Sequence, residues 1–187
     1  MRKIILSLVL FAIIAFSSTA QVRFSTGQTL RKGAFSIGIN PVISTNGSNF
    51  ALFFHGGYGL GNNSDLGLKL GFGWGNPYIG LDYEKSFLSG KPSVSAHGGA
   101  HYWGDFGLDF GATVTFPVKS LYLSTGLDAD LNFGSNTNND LNMYLPLWLP
   151  LELEYYLQKH LSLIFEADIK LTRSAFTTVG GGLAIYF

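Results

Sequence analysis

The sequence predicts an all-β fold: an antiparallel up-and-down barrel that crosses a membrane, with ten strands as the main reading. Three observations carry this. After Gln21 apolar residues recur at every second position, the period of a strand with one apolar and one polar face. The links between these runs are short and rich in Gly, Asn and Pro, which makes neighbouring strands antiparallel. Only 13% of the 187 residues are charged while 47% are hydrophobic. A soluble domain carries roughly a quarter charged residues.

Other bounds follow from composition. Twelve Lys and Arg balance twelve Asp and Glu, so no basic face for nucleic acid is expected. The chain has no Cys, which excludes a disulfide framework, a thiolate metal site and a lipobox anchor.

The elements can be justified in order. Arg2 and Lys3 precede an apolar run from Ile4 to Phe16, followed by small residues including Ser18 and Ala20. These are the n-region, h-region and cleavage site of a signal peptide over 1–20. The run is 13 residues long, too short for a spanning helix of ~20. Residues 21–187 then form one barrel domain, beginning with a polar lead-in over 21–31. Strands are expected near 33–43, 49–60, 66–74, 78–87, 93–103, 105–116, 120–133, 141–157, 161–173 and 176–187. The third shows the pattern: Leu66, Leu68, Leu70, Phe72 and Trp74 alternate with Gly67, Lys69, Gly71 and Gly73. Turns fall at Asn46-Gly47, Gly61-Asn62-Asn63, Gly75-Asn76-Pro77, Gly90-Lys91-Pro92 and Gly104-Asp105. Pro146 and Pro150 sit inside the longest strand, where a missing N–H suggests bulges. A count of eight strands, with the first hairpin misread, is the alternative.

A soluble barrel and a membrane barrel both alternate, with opposite polarity. Here the polar face is mostly Gly, Ser, Thr and Asn, which is too little charge for a water-facing sheet. Aromatics of the apolar parity sort to strand ends: Trp74, Tyr102, Phe106 and Phe133 toward one rim, Phe87, Phe116, Tyr155 and Phe187 toward the other. Two such belts around an aliphatic band are what membrane interfaces select. The chain closes on Gly180-Gly181-Gly182-Leu183-Ala184-Ile185-Tyr186-Phe187, an alternating strand ending in Phe. In this pattern the sequence resembles bacterial outer-membrane β-barrel proteins. The resemblance implies location in the outer membrane, lipid as the surrounding partner, and Tyr186 and Phe187 as the signal read by the barrel-assembly machinery. It departs from that family in its short outer loops, which leave little surface for a large ligand.

The inward parity carries the chemistry. One expected lumen cluster is Lys69, Asp82, Glu84, His97, His101 and Asp109; a second, acidic one is Asp128, Asp130, Glu152, Glu154, Glu166 and Asp168. Lys170 is expected to point inward as well. Hairpin register sets Lys69 beside Asp82 and Glu84, brings His97 to the same two carboxylates, and places Glu152 opposite Glu166. Inward Gly on strands three to six, facing Tyr122, Tyr144, Trp148 and Tyr156, suggests a lumen filled by side chains. His97 and His101 with Asp109 could ligate a metal, but no tight ligand spacing accompanies them. Lumen histidines held by hydrogen bonds are the reading, with no metal and no cofactor. Ser95, His97 and Asp82 could be arranged as a hydrolase site, the basis of a lipid-modifying alternative. The expected function is a monomeric, plugged structural or interaction barrel without catalytic residues. A narrow cation-preferring pore is the runner-up, because acids dominate the lumen.

Overall fold

The computed structural model describes residues 28–45, 49–135 and 141–187. The expected signal segment over 1–20, most of the lead-in and the Asn46-Gly47 turn lie outside them. The strands are β1 (Phe35–Ser44), β2 (Asn49–Gly59), β3 (Ser64–Phe72), β4 (Tyr78–Leu88), β5 (Ser93–Trp103), β6 (Asp105–Val118), β7 (Leu121–Ser135), β8 (Leu141–Tyr144), β9 (Leu147–Gln158), β10 (Leu161–Lys170) and β11 (Thr178–Tyr186). β8 and β9 both pair with β7 and are two pieces of one strand interrupted at 145–146. The barrel therefore closes on ten strands, each antiparallel to its neighbours, with β11 returning to β1. The ten-strand reading holds. Closure leaves no open edge, so the ladder satisfies the backbone where water is absent.

Proline marks two gaps in the ladders. Between Thr125↔Leu151 and Asp128↔Trp148 the β7–β9 ladder is interrupted at Pro150, which has no N–H to donate. The β1–β11 seam skips in the same way beside Pro41, between Ile39↔Leu183 and Val42↔Gly180. The register on either side is unchanged, so the bulge expected at Pro150 is a ladder gap instead. At Pro146 the strand breaks outright.

The polarity is inverted relative to a soluble barrel. Exposed side chains include Ile37, Leu68, Phe72, Ile79, Leu81, Leu127, Phe165 and Leu183, while the buried ones are largely Asp, Glu, Ser, Thr, Asn and His. An apolar exterior on this scale is incompatible with water and matches a bilayer. Its rims carry aromatics: Phe106 stacks on Phe133 at the end away from the termini, and Phe35 stacks on Phe187 at the terminal end.

Trp74 does not join the lipid-facing belt as expected; it is 4% exposed and packs inside with Val42, Ala51, Phe53 and Tyr78. β3 ends at Phe72, and Gly73 adopts φ 117°, a conformation that breaks the alternation and turns the indole inward. Lys170 keeps the inward parity, opposite the buried Trp148, but at the end of β10 it is exposed at the rim. Tyr144 faces inward opposite Asn132 as expected, yet is 38% exposed because β8 lies at the end of the sheet.

Candidate functional site

Inward parity delivers the polar residues to one lumen. Lys69 comes from β3, Asp82 and Glu84 from β4, His97 and His101 from β5, and Asp109 from β6. Asp128 and Asp130 come from β7, Glu152 and Glu154 from β9, and Glu166 and Asp168 from β10. All twelve are buried. Tyr186 is half-buried on the inward face of β11, and Phe187 is exposed on the apolar face beside Phe35.

The contacts redraw the two expected clusters. Lys69 Nζ lies 2.9 Å from Asp82 Oδ2, as the β3–β4 hairpin register implies. Glu84 accepts a hydrogen bond from Ser95 Oγ at 2.5 Å. His97 is the Cα partner of Glu84, yet its Nε2 pairs with Asp128 Oδ1 at 3.0 Å, two strands away. Gly111 explains the difference. It stands between His97 and Asp128 in register, and a Cβ there would sit 2.2 Å from the imidazole. The missing side chain lets the ring lie across β6.

His101 repeats the device one pleat pair further along, crossing Gly107 to bring Nε2 within 3.1 Å of Asn132 Oδ1, with Nδ1 at 2.5 Å from Asp109 Oδ1. Asp128 and Asp130 thus belong with the histidines, not with the β9–β10 acids. Inward Gly directly opposite an inward His was the available sequence signal, and Asn132 was missed with it.

The remaining acids form a second zone. Glu166 and Glu152 are Cα partners, so two carboxylates face each other across β9–β10. Asp168 accepts from Thr178 Oγ1 at 2.9 Å, and Glu154 accepts from the Tyr186 hydroxyl. The three residues of the hydrolase alternative have other partners in the lumen. Ser95 donates to Glu84, His97 pairs with Asp128, and Asp82 pairs with Lys69.

Apolar and aromatic side chains occupy both ends of the lumen. Away from the termini, Phe53 packs edge-on against Trp74 and Tyr78, and Trp74 against Trp103. Gly71 makes room for Phe53, since a Cβ there would fall 2.5 Å from the ring. At the terminal end Tyr156 stacks on Tyr186 and packs against Tyr122. The lead-in also enters this mouth. Leu30 N donates to Asp65 Oδ2 at 2.8 Å, and Gln28 and Leu30 line a cavity of about 80 Å³ that reaches Lys69, His97 and Tyr186. A second cavity of about 150 Å³ lies at the other end, bordered by His101, Trp103, Asp130, Asn132, Trp148 and Phe176 among others. The two share no lining residue.

A closed, even-stranded antiparallel barrel with an apolar exterior and a polar interior is a transmembrane β-barrel of the outer-membrane type. No family model and no curated protein sequence matches the chain. Among solved structures it is similar to the N-terminal β-barrel domain of Pseudomonas aeruginosa OprF, at 14% identity over 83% of this chain and 98% of that one, with a TM-score of 0.41. It is also similar to the Acinetobacter baumannii outer membrane protein Omp33, at 8% identity over 83% and 99% of the two chains, TM-score 0.43. A third is the outer membrane protein OprG from Pseudomonas aeruginosa, at 11% identity over 87% and 99%, TM-score 0.40.

Proposed function

We propose that the chain is a small, monomeric, integral outer-membrane barrel with a structural or interaction role, whose polar lumen is plugged by its own side chains. Export by a signal segment over 1–20 and insertion by the barrel-assembly machinery belong to the same reading. The observation that carries it is the pair of separate internal cavities, one at each end, with an ion-paired and hydrogen-bonded layer between them. In a small barrel the interior is about wide enough for side chains to fill. The short described links between strands favour a role within the membrane or at its surface over capture of a large soluble ligand.

A cation-preferring pore is the second reading, supported by the buried acids, which outnumber the one buried Lys, Lys69, among the described residues. Vesicle swelling separates the two. Vesicles containing the barrel, placed in isotonic potassium chloride or arabinose, are expected to swell no faster than empty ones. Swelling that Glu152→Gln with Glu166→Gln suppresses would overturn the plugged reading in favour of the pore. On a sucrose gradient the protein is expected to travel with the outer membrane; recovery with the inner membrane would contradict the location.

A further inference from the structure

The geometry points to a divalent-metal site inside the barrel, formed by His101, Asp109 and Asp130 at the end away from the termini. This goes beyond a plugged lumen, which needs no ion. Asp109 and Asp130 are Cα partners on β6 and β7, and His101 reaches them from β5. One nitrogen or oxygen from each of the three lies within 4.8 Å of the other two. They are 4%, 0% and 3% exposed in chain order, so bulk water does not screen them.

One observation asks for a cation and a second supplies a ligand for it. Asp109 Oδ2 and Asp130 Oδ1 are buried without a hydrogen-bond partner. Two directly opposed carboxylates in that state need a positive charge or a shared proton. The second observation is the imidazole. Its Nε2 faces Asn132 Oδ1 at 3.1 Å and its Nδ1 faces Asp109 Oδ1 at 2.5 Å, so the ring is already aimed at the cluster. That contact is a short hydrogen bond, and a metal ion taking Nδ1 and the carboxylate as ligands would displace its proton. Asn132 then acts as the outer partner that fixes tautomer and ring angle, as such partners do in histidine metal sites. Tyr78 stacked on the imidazole at 5.4 Å holds the plane.

The donor set names the class. One imidazole nitrogen and carboxylate oxygens, with no sulfur, suit Zn²⁺, Mn²⁺ or Fe²⁺ better than Ca²⁺ or a thiophilic ion. Three protein ligands leave a coordination position open. Asp130 and His101 both border the 150 Å³ cavity, which extends to the exposed Ser174, so a water and an access route have space there.

The test uses the full barrel refolded in detergent, stripped with chelator and titrated with zinc chloride by calorimetry. One equivalent is expected to bind. Asp130→Asn is expected to weaken binding at least tenfold, and Asn132→Leu by about 10–100-fold, the range for outer-shell partners. Glu152→Gln, in the other acidic zone, is expected to leave it unchanged. X-ray absorption of zinc-loaded wild type needs no variant and is expected to read one imidazole with oxygen ligands. No zinc retained by the wild type would overturn the site in favour of a shared proton. Equal binding by Asp130→Asn, or a spectrum lacking imidazole, would also overturn it. Neither result bears on whether the lumen is plugged.

Discussion

Lys69→Met is expected to destabilise the barrel by about 3–5 kcal/mol, the cost of leaving a buried carboxylate without its partner. Lys69 is the one buried Lys or Arg among the described residues, and its ammonium lies 2.9 Å from Asp82 Oδ2. It also lies within electrostatic reach of Asp109 and Asp128. Removing the charge isolates Asp82 and deepens the negative potential of the whole lumen. The double variant Lys69→Met with Asp82→Asn removes both charges and should recover most of the loss. Urea unfolding of the refolded barrel in lipid vesicles measures both. A single-variant loss below about 1 kcal/mol, typical of an exposed pair, would show that water reaches this pair and that the lumen is hydrated.

Gly182→Val is expected to prevent closure. Gly182 lies on β11 at the seam with β1, the pairing that converts an open sheet into a barrel. A Cβ there would fall 2.1 Å from the Ile39 carbonyl oxygen and 1.9 Å from Asn40 Oδ1. The Asn40 amide could rotate away, but the carbonyl is backbone and cannot move without parting the strands. Overpacking usually costs about 1–3 kcal/mol; a clash with the closing ladder should exceed that. The folded, heat-modifiable band on electrophoresis should disappear. Gly56→Val is the control: its Cβ meets only the Ser36 oxygen at 3.5 Å, an ordinary contact, and it should fold. Normal folding of Gly182→Val would mean that the seam is looser than drawn.

The strands were legible in the sequence because period-two alternation assigns residues to faces without knowledge of the neighbours. Pairs one hairpin apart were legible for the same reason: folding about Gly75 and Asn76 sets Lys69 against Asp82, and folding about Lys159 sets Glu152 against Glu166. Contacts that skip a strand were not. The His97 and His101 rings reach across Gly111 and Gly107, and that reach depends on cross-strand position, which local spacing does not encode. Trp74 was misassigned because one residue with positive φ, Gly73, ends the alternation just before it. The entry of Leu30 into the barrel mouth depends on Gly57 and Gly59 leaving space, since Cβ atoms there would meet the Leu30 side chain and the Arg31 backbone. Most of these surprises lie where glycine lets a bulky group cross a neighbouring strand.

The proposal that the lumen is sealed is tested most directly by single-channel recording in planar bilayers. Wild-type protein at high salt should give no unitary steps, while Phe53→Ala with Trp74→Ala and Trp103→Ala should open a conductance through the vacated aromatic end. Regular steps from the wild type, with cation preference, would contradict a lumen closed by its own side chains.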